Sequence, residues 1–323
     1  ARCQGDAMSL LPVAPAHALE MEPPERRWLI ETLWCEEAVG IVGGEPKCCK
    51  SFLALDMAVA TASGSPCLRR FAVPRPGRVL LYAAEDALHV VRRRLEGICR
   101  AAGVELAGLD LQVITAPSLR LDLAADRQRL DDTVAQMRPR LLVLDPFVRL
   151  HRIDENQSGE VAPLLAYLRE LQRTYKLAVV VVHHARKGAA RARAGQALRG
   201  SSEFHAWGDS NLYLRRAGEA LTLSIEHRAA PSQAGLPLRL VADGDELALA
   251  LVESSPVEPV SAPLSANERV EAALAEAQSA LSVAALRQAC RMRMQTVSSC
   301  LAQLVADGRV EKQQNGYVLL DRK

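Results

Sequence analysis

One stretch constrains the fold of this 323-residue chain more than any other. The apolar run Val39–Val42 leads into Gly43-Gly44-Glu45-Pro46-Lys47-Cys48-Cys49-Lys50-Ser51, and a helical pattern, Ser51–Ala62, follows at once. A strand that turns through glycines into a helix N-terminus aims successive backbone N–H groups at one point and adds the positive end of the helix dipole. That is anion-binding geometry. Gly44, Lys50 and Ser51 match the spacing GxxxxGK[ST], with Cys49 where the last glycine belongs. The motif predicts ATP and Mg²⁺ as ligands: Gly43, Gly44, Glu45, Pro46, Lys47, Cys48, Cys49, Lys50, Ser51 and Phe52 cradle the phosphates, Lys50 reaches the β- and γ-phosphates, and the Ser51 hydroxyl binds the metal. A side chain at position 49 must point away from the nucleotide, or the loop must open slightly. Two adjacent thiols at a helix N-terminus also suggest a redox-sensitive loop, although small residues filling a tight turn explain them as well.

Further apolar runs follow at Arg78–Ala83, Leu111–Ile114, Leu141–Leu144 and Ala178–Val182, without polar alternation, as strands buried on both faces should be. Helical patterns lie between them at Asp86–Ala102, Ala125–Met137 and Gly159–Tyr175. Strand–helix alternation predicts an α/β fold, a mainly parallel sheet flanked by helices, whose ligands bind at the carboxyl edge of the strands. After Gly208, shorter strands such as Asn211–Arg215 and Leu221–His227 are expected to add an antiparallel edge.

Several strands end in polar groups that suit a phosphate site. Leu141–Leu144 closes on Asp145, placed to share the Mg²⁺ shell with Ser51. A carboxylate closing a strand also commonly caps the next helix. The strand at Leu80 ends in Glu85 and Asp86, with Glu85 suited to polarise an attacking water and Asp86 to N-cap the following helix. Val179–Val182 runs into His183 and His184, imidazoles that could sense the γ-phosphate.

Composition narrows the class. Apolar residues make up 49%, and Lys+Arg exceed Asp+Glu only by 40 to 38, which excludes a disordered chain and a strongly basic coat protein. Any nucleic-acid contact is therefore local. Aromatics at 4% are too few for base stacking to dominate. No apolar run of about 18 residues points to a membrane span, and the first residues lack a secretory pattern, so a cytoplasmic protein is expected. Eight cysteines with neither CxxC nor zinc spacing indicate no disulfide scaffold or structural metal.

The domain reading is an N-terminal arm (1–35) with Trp28 and Trp34 near a weak helical pattern, a core (36–252), a Pro/Ser-rich linker (253–265) and a small C-terminal domain (266–323). In the last, helical patterns at Asn267–Ala277, Val283–Cys290 and Gln295–Asp307 precede a hairpin over Arg309–Leu320 expected to turn at Asn315-Gly316. Three helices and a hairpin make a winged-helix arrangement.

From about residue 38 to 230 the chain resembles the RecA-like ATPases, specifically the RepA-type hexameric replicative helicase group. The stretches that carry the resemblance are GGEPKCCKSFLALDMAVA, RVLLYAAEDALHVVRRRL, RPRLLVLDPFVRLHRIDENQ, VVVVHHARKG and LRGSSEFHAWGDSNLYLRR. The resemblance implies ATP hydrolysis at the subunit interfaces of a homo-hexamer, with Glu85 as catalytic base, Asp145 on magnesium and His183 or His184 as sensor. It also implies an arginine supplied by the adjacent protomer, for which Arg199, Arg215 and Arg216 are the candidates. Asp154-Glu155-Asn156 resembles a polar loop that lies near the channel side in that group.

Two features point to DNA as partner: single-stranded DNA in the ring and duplex at the winged helix. Arg186, Lys187, Arg191, Arg193 and Arg199, with glycines interspersed, form a cationic stretch able to follow a phosphate backbone. In the C-terminal domain Arg287, Arg291 and Arg293 flank the third helix, where Gln295, Thr296, Ser298 and Ser299 can reach bases or phosphates, and Arg309 and Lys312 lie on the hairpin. That domain carries eight Lys+Arg against six Asp+Glu, so protein docking is an open alternative. Three functions fit: a ring helicase, a recombination or regulatory ATPase that assembles on DNA without unwinding it, and a DNA-binding regulator that uses nucleotide only as effector.

Overall fold

The computed structural model describes residues 13–16, 27–184, 203–243, 246–252, 266–275, 277, 279–290 and 292–320. The chain divides into two compact units, 1–253 and 254–323.

The first unit opens with a small ribbon, β1 (Trp28–Ile30) paired antiparallel with β2 (Trp34–Cys35). The helical pattern expected around the two tryptophans is not adopted. Leu29, Ile30, Leu33 and Trp34 are instead buried against the core, with the Trp34 indole N–H donating to the Ala38 carbonyl. Then follow β3 (Val39–Gly44), α1 (Lys50–Ser63), β4 (Val79–Ala83), α2 (Leu88–Ala102), β5 (Leu111–Val113), α3 (Ala124–Met137), β6 (Leu141–Asp145), α4 (Ser158–Tyr175), β7 (Ala178–His184), α5 (Glu203–Trp207), β8 (Ser210–Ala217), β9 (Ala220–His227), β10 (Gln233–Asp243) and β11 (Glu246–Leu251).

Nine strands form one sheet in the order β11-β10-β9-β8-β3-β7-β6-β4-β5. Six of them, from β5 to β8, run parallel, and β7 lies between β3 and β6. β8 corrects the sequence reading. It was expected to open the antiparallel edge, but it pairs parallel with β3, and the antiparallel meander starts only at β9. Gly40 permits this approach: a Cβ there would meet the Ser210 carbonyl oxygen at 1.7 Å.

Alternation along the strands splits the core into two layers. Val42, Leu81, Val143, Val180, Leu212 and Leu214 pack with α1, α2 and the ribbon. Ile41, Tyr82, Leu144, Val181 and Tyr213 pack with α3, α4 and α5 on the other face. The meander adds Leu223, Ile225, Leu238 and Leu249 to the α1 layer. α1 is consequently covered all round, with every residue from Leu53 to Thr61 buried, and its sequence is correspondingly apolar or small on every face. Its one buried carboxylate, Asp56, accepts from the Leu68 N–H at 2.7 Å and pairs with Arg69. Arg69 also donates to the Leu249 carbonyl at 2.7 Å.

The second unit contains α6 (Ala266–Ala275), α7 (Val283–Cys290), α8 (Met294–Ala306) and a hairpin of β12 (Val310–Gln313) and β13 (Gly316–Leu319). Val270, Leu274, Leu286, Cys290, Val297, Cys300, Leu301, Leu304 and Val310 form its own core. The hairpin turns at Gln314-Asn315, one residue earlier than expected, because Gly316 already pairs with Gln313. Gly316 serves a different contact. Its neighbour Tyr317 exchanges two backbone bonds with Leu281, and a Cβ at 316 would meet the Leu281 carbonyl oxygen at 2.5 Å.

Candidate nucleotide site

β3 ends at Gly43 and Gly44, and the chain loops through Glu45–Cys49 into α1. Lys47 and Cys49 adopt left-handed backbone angles, with φ of 63° and 65°. Cys49 occupies the helix N-cap but makes no side-chain cap bond, and no acidic residue lies in the first turn. The N-terminal amides of α1 are thus left to an outside acceptor. The left-handed φ is also the physical reason why glycine suits this position: a Cβ there costs about 1–2 kcal/mol.

The Lys50 side chain is 5% exposed, and its Nζ donates to the Glu45 carbonyl at 2.8 Å, with the Cys48 Sγ at 3.8 Å. Burial pulls the ammonium below its ordinary value, opposed by the Cys48 thiol and Asp145. Asp145 ends β6 and is 8% exposed. Burial pushes its carboxyl up to about 6, the nearby Asp86 and Glu85 charges add to this, and a hydrogen bond from Ser51 and the Lys50 charge work against it. A buried carboxylate that accepts from the Ser51 hydroxyl and is raised by its own burial fits the donor set of a hard divalent cation. Ser51 and Asp145 are the residues that would hold Mg²⁺.

Lys47–Phe52, Glu85, Asp86, Arg94, Asp145, Val182 and His184 line one cavity of about 420 Å³ at the carboxyl edge of the sheet. Glu85 follows β4 and accepts from Arg149 Nε at 2.9 Å. The two histidines are separated by strand alternation. His184 lines the cavity, and burial together with the Lys50 charge lowers its pKa, so the ring is neutral at pH 7. His183 is buried on the opposite face, stacked on Phe204 with centroids 4.2 Å apart, and Phe147 meets it edge-on.

Asp86 does not cap α2. The N-cap is Ala87, without a side-chain bond, and Asp86 is instead paired with Arg94, whose guanidinium lies 5.3 Å from the Phe52 ring centroid. An arginine two helical turns along outcompetes the amides because it offers a charged, bidentate partner. At Cys48 the structure favours the small residue filling a tight turn over the redox-sensitive reading. The side chain is fully buried, and desolvation raises its pKa. Cys49 Sγ accepts from Arg216 at 3.5 Å.

The arginines at the end of β8 are also divided. Arg216 lies beside the loop, whereas Arg215 shares the parity of Tyr213 on the other face. Arg186, Lys187, Arg191, Arg193, Arg199 and Arg291 lie outside the described residues. Arg287, Arg293, Gln295 and Lys312 are exposed on the second unit. Arg287 and Arg293 border a groove with Ala284, Gln288, Met292 and Met294. Sequence reasoning missed Arg94 and Arg149. Arg94 sits in an Arg-Arg-Arg run that reads as a solvated helix face. Arg149, four residues after Asp145, had no local signal. No helix among the described residues is long and apolar enough to cross a membrane.

Comparison with known proteins adds a family. A family model described as an AAA domain matches residues 6–190. Among solved structures, the chain is similar to a DnaB-like replicative helicase, with 12% identity and a TM-score of 0.52 over 66% of this chain. It spans 57% of that helicase's length, and the likeness is one of fold. The RadB recombinase is more distant in fold, with 16% identity and a TM-score of 0.46 over 64% of this chain and 88% of that one.

Proposed function

The chain belongs to the AAA domain family, and on that footing we propose that it is an ATP-hydrolysing RecA-like motor acting on DNA, specifically a RepA-type ring helicase. The observation that carries the reading is the meeting of Lys50, Ser51, Glu85, Asp145 and His184 around one cavity. Four different strands deliver these groups to one sheet edge, where doubly wound folds bind ligands.

In this reading Lys50 exchanges its bond to the Glu45 carbonyl for the β- and γ-phosphates, and the uncapped turn of α1 donates its amides to them. Bound Mg²⁺ would neutralise phosphate charge, held by Ser51 and Asp145. Glu85 orients a water and takes its proton as that water attacks the γ-phosphorus, while the bond from that phosphorus to the β,γ-bridging oxygen breaks and the oxygen leaves with ADP. His184, neutral, offers a ring nitrogen to the γ-phosphate and registers its departure. The second unit is proposed as a winged helix that meets duplex DNA through Arg287, Arg293, Gln295 and Lys312, while the stretch from Arg186 to Arg199 follows a single strand inside a homo-hexamer. The fold similarity to a DnaB-like helicase supports the motor class. The left-handed Cys49 favours a second reading, in which strain slows turnover and nucleotide serves as effector.

Phosphate release with and without single-stranded DNA, together with mass in solution with and without ATP and strand displacement on a fork, tests this. DNA-stimulated release lost in Lys50→Ala, an ATP-dependent oligomer and unwinding are expected. Stimulated release without unwinding would transfer the protein to the recombination or regulatory class. Binding without release would leave the effector reading.

A further inference from the structure

We propose that Arg216 is a catalytic arginine of its own protomer, contributing positive charge in cis to the phosphates bound at the Gly44–Ser51 loop. The inference rests on the nucleotide-site reading above but departs from the expectation that this arginine serves a neighbouring subunit.

The placement follows from register. β8 runs parallel to β3 with Leu214 opposite Gly44, so Arg215 and Arg216, still paired with β9, run past the end of β3 at the level where the phosphate loop begins. Leu212 and Leu214 pack in the α1 layer and Tyr213 in the other. Alternation therefore sends Arg216 to the α1 face and Arg215 to the opposite one. The contact agrees: Arg216 Nη2 donates to Cys49 Sγ at 3.5 Å, and Cys49 is the N-cap of α1. The guanidinium thus lies one thiol away from the amides proposed to bind phosphate, and its charge already acts on the buried Cys48.

The two other arginines nearest the site are committed to carboxylates. Arg94 is paired with Asp86 and Arg149 with Glu85. Among the described residues Arg216 is paired with no carboxylate, and its side chain is exposed. A thiol is a weak acceptor. A phosphate oxygen, offering a charge-assisted bond, displaces it readily. Cys49 then has a use that glycine could not fill, as a small side chain that parks the guanidinium beside the loop.

Arg216→Ala and Arg216→Lys are measured for ATP turnover and for thermal midpoint. Arg216→Ala is expected to lose about tenfold or more in kcat/KM, with Arg216→Lys recovering part of it and both midpoints unchanged. An Arg216→Ala enzyme within twofold of wild type overturns the proposal. Cis and trans action are separated by co-expressing Lys50→Ala and Arg216→Ala chains under two tags and purifying on both. A trans arginine would restore about a quarter of wild-type turnover, since half of the intact phosphate loops would then face an intact neighbouring arginine. Cis action restores none, and a wild type that is active as a monomer supports cis action equally. If wild type releases no phosphate, the underlying reading falls and the inference with it. If wild type is active and Lys50→Ala is not, only the inference is at stake.

Discussion

Asp145→Asn makes the electrostatics of the site measurable. Asp145 is 8% exposed, and its carboxyl titrates near 6 in the folded chain. The same group titrates near ~3.9 when unfolded. The folded chain holds the proton to higher pH, so between about pH 4 and 6 the unfolded chain binds fewer protons and stability falls as pH rises. Ionised at pH 8, the carboxylate costs about 3 kcal/mol, net of the Ser51 hydrogen bond and the attraction of Lys50. Asparagine keeps the shape and an acceptor for Ser51 while removing the charge.

Without nucleotide, the variant should therefore be more stable than wild type by up to about 3 kcal/mol at pH 8, and equal to it near pH 4. Urea unfolding followed by tryptophan fluorescence reads this cleanly, because Trp28, Trp34 and Trp207 all lie in the first unit. Adding ATP with Mg²⁺ should reverse the order, since ligand that binds the folded chain stabilises wild type and has little hold on the variant. A variant that is destabilised at pH 8, or a difference that does not change with pH, would refute the reasoning. Asp145 would then be an ordinary satisfied carboxylate.

Other outcomes follow from the same geometry. Glu85→Gln should bind ATP as wild type does but turn it over about 10²–10⁴-fold more slowly; equal loss of binding in a fluorescent-nucleotide titration would make Glu85 structural. At Cys49, glycine relieves the left-handed strain but loses a half-buried thiol, so stability should change by no more than about 1 kcal/mol, whereas valine should cost about 2 kcal/mol. Equal urea midpoints for the two would contradict the assigned backbone. Gly40→Ala should cost about 3 kcal/mol, because its Cβ meets a backbone carbonyl of β8 that cannot rotate away; a circular-dichroism melt matching wild type would show that β3 and β8 do not pair as described.

Much of the first unit was legible because its signals are local. Val39–Val42, Leu141–Leu144 and Ala178–Val182 are unbroken apolar runs, and each lies within an observed strand. The helices α1 to α4 begin within two residues of their expected starts, since 3.6-residue periodicity shows within one or two turns, whereas the short α5 had no such pattern. The candidate residues on the phosphate loop belong to the same category, as one short segment carries amides, lysine and hydroxyl together.

The rest depended on which surfaces meet. Composition and period alone made Leu53–Thr61 a helix, but only the meander folding into its layer made that helix buried on every side. Both histidines end the same strand. The last residue's parity, set by hydrogen-bond register with β3, sends His184 to the cavity and His183 to Phe204. Arg149 finds Glu85 across 64 residues, and Arg216 finds Cys49 across 167. Long-range partners of this kind are chosen by strand order and register, which no single segment encodes. The sequence by itself determined the repeating strands and helices and the loop that can hold phosphate. The tertiary structure alone decided which charges surround that loop, because a charge acts through distance and burial, and both are properties of the folded chain.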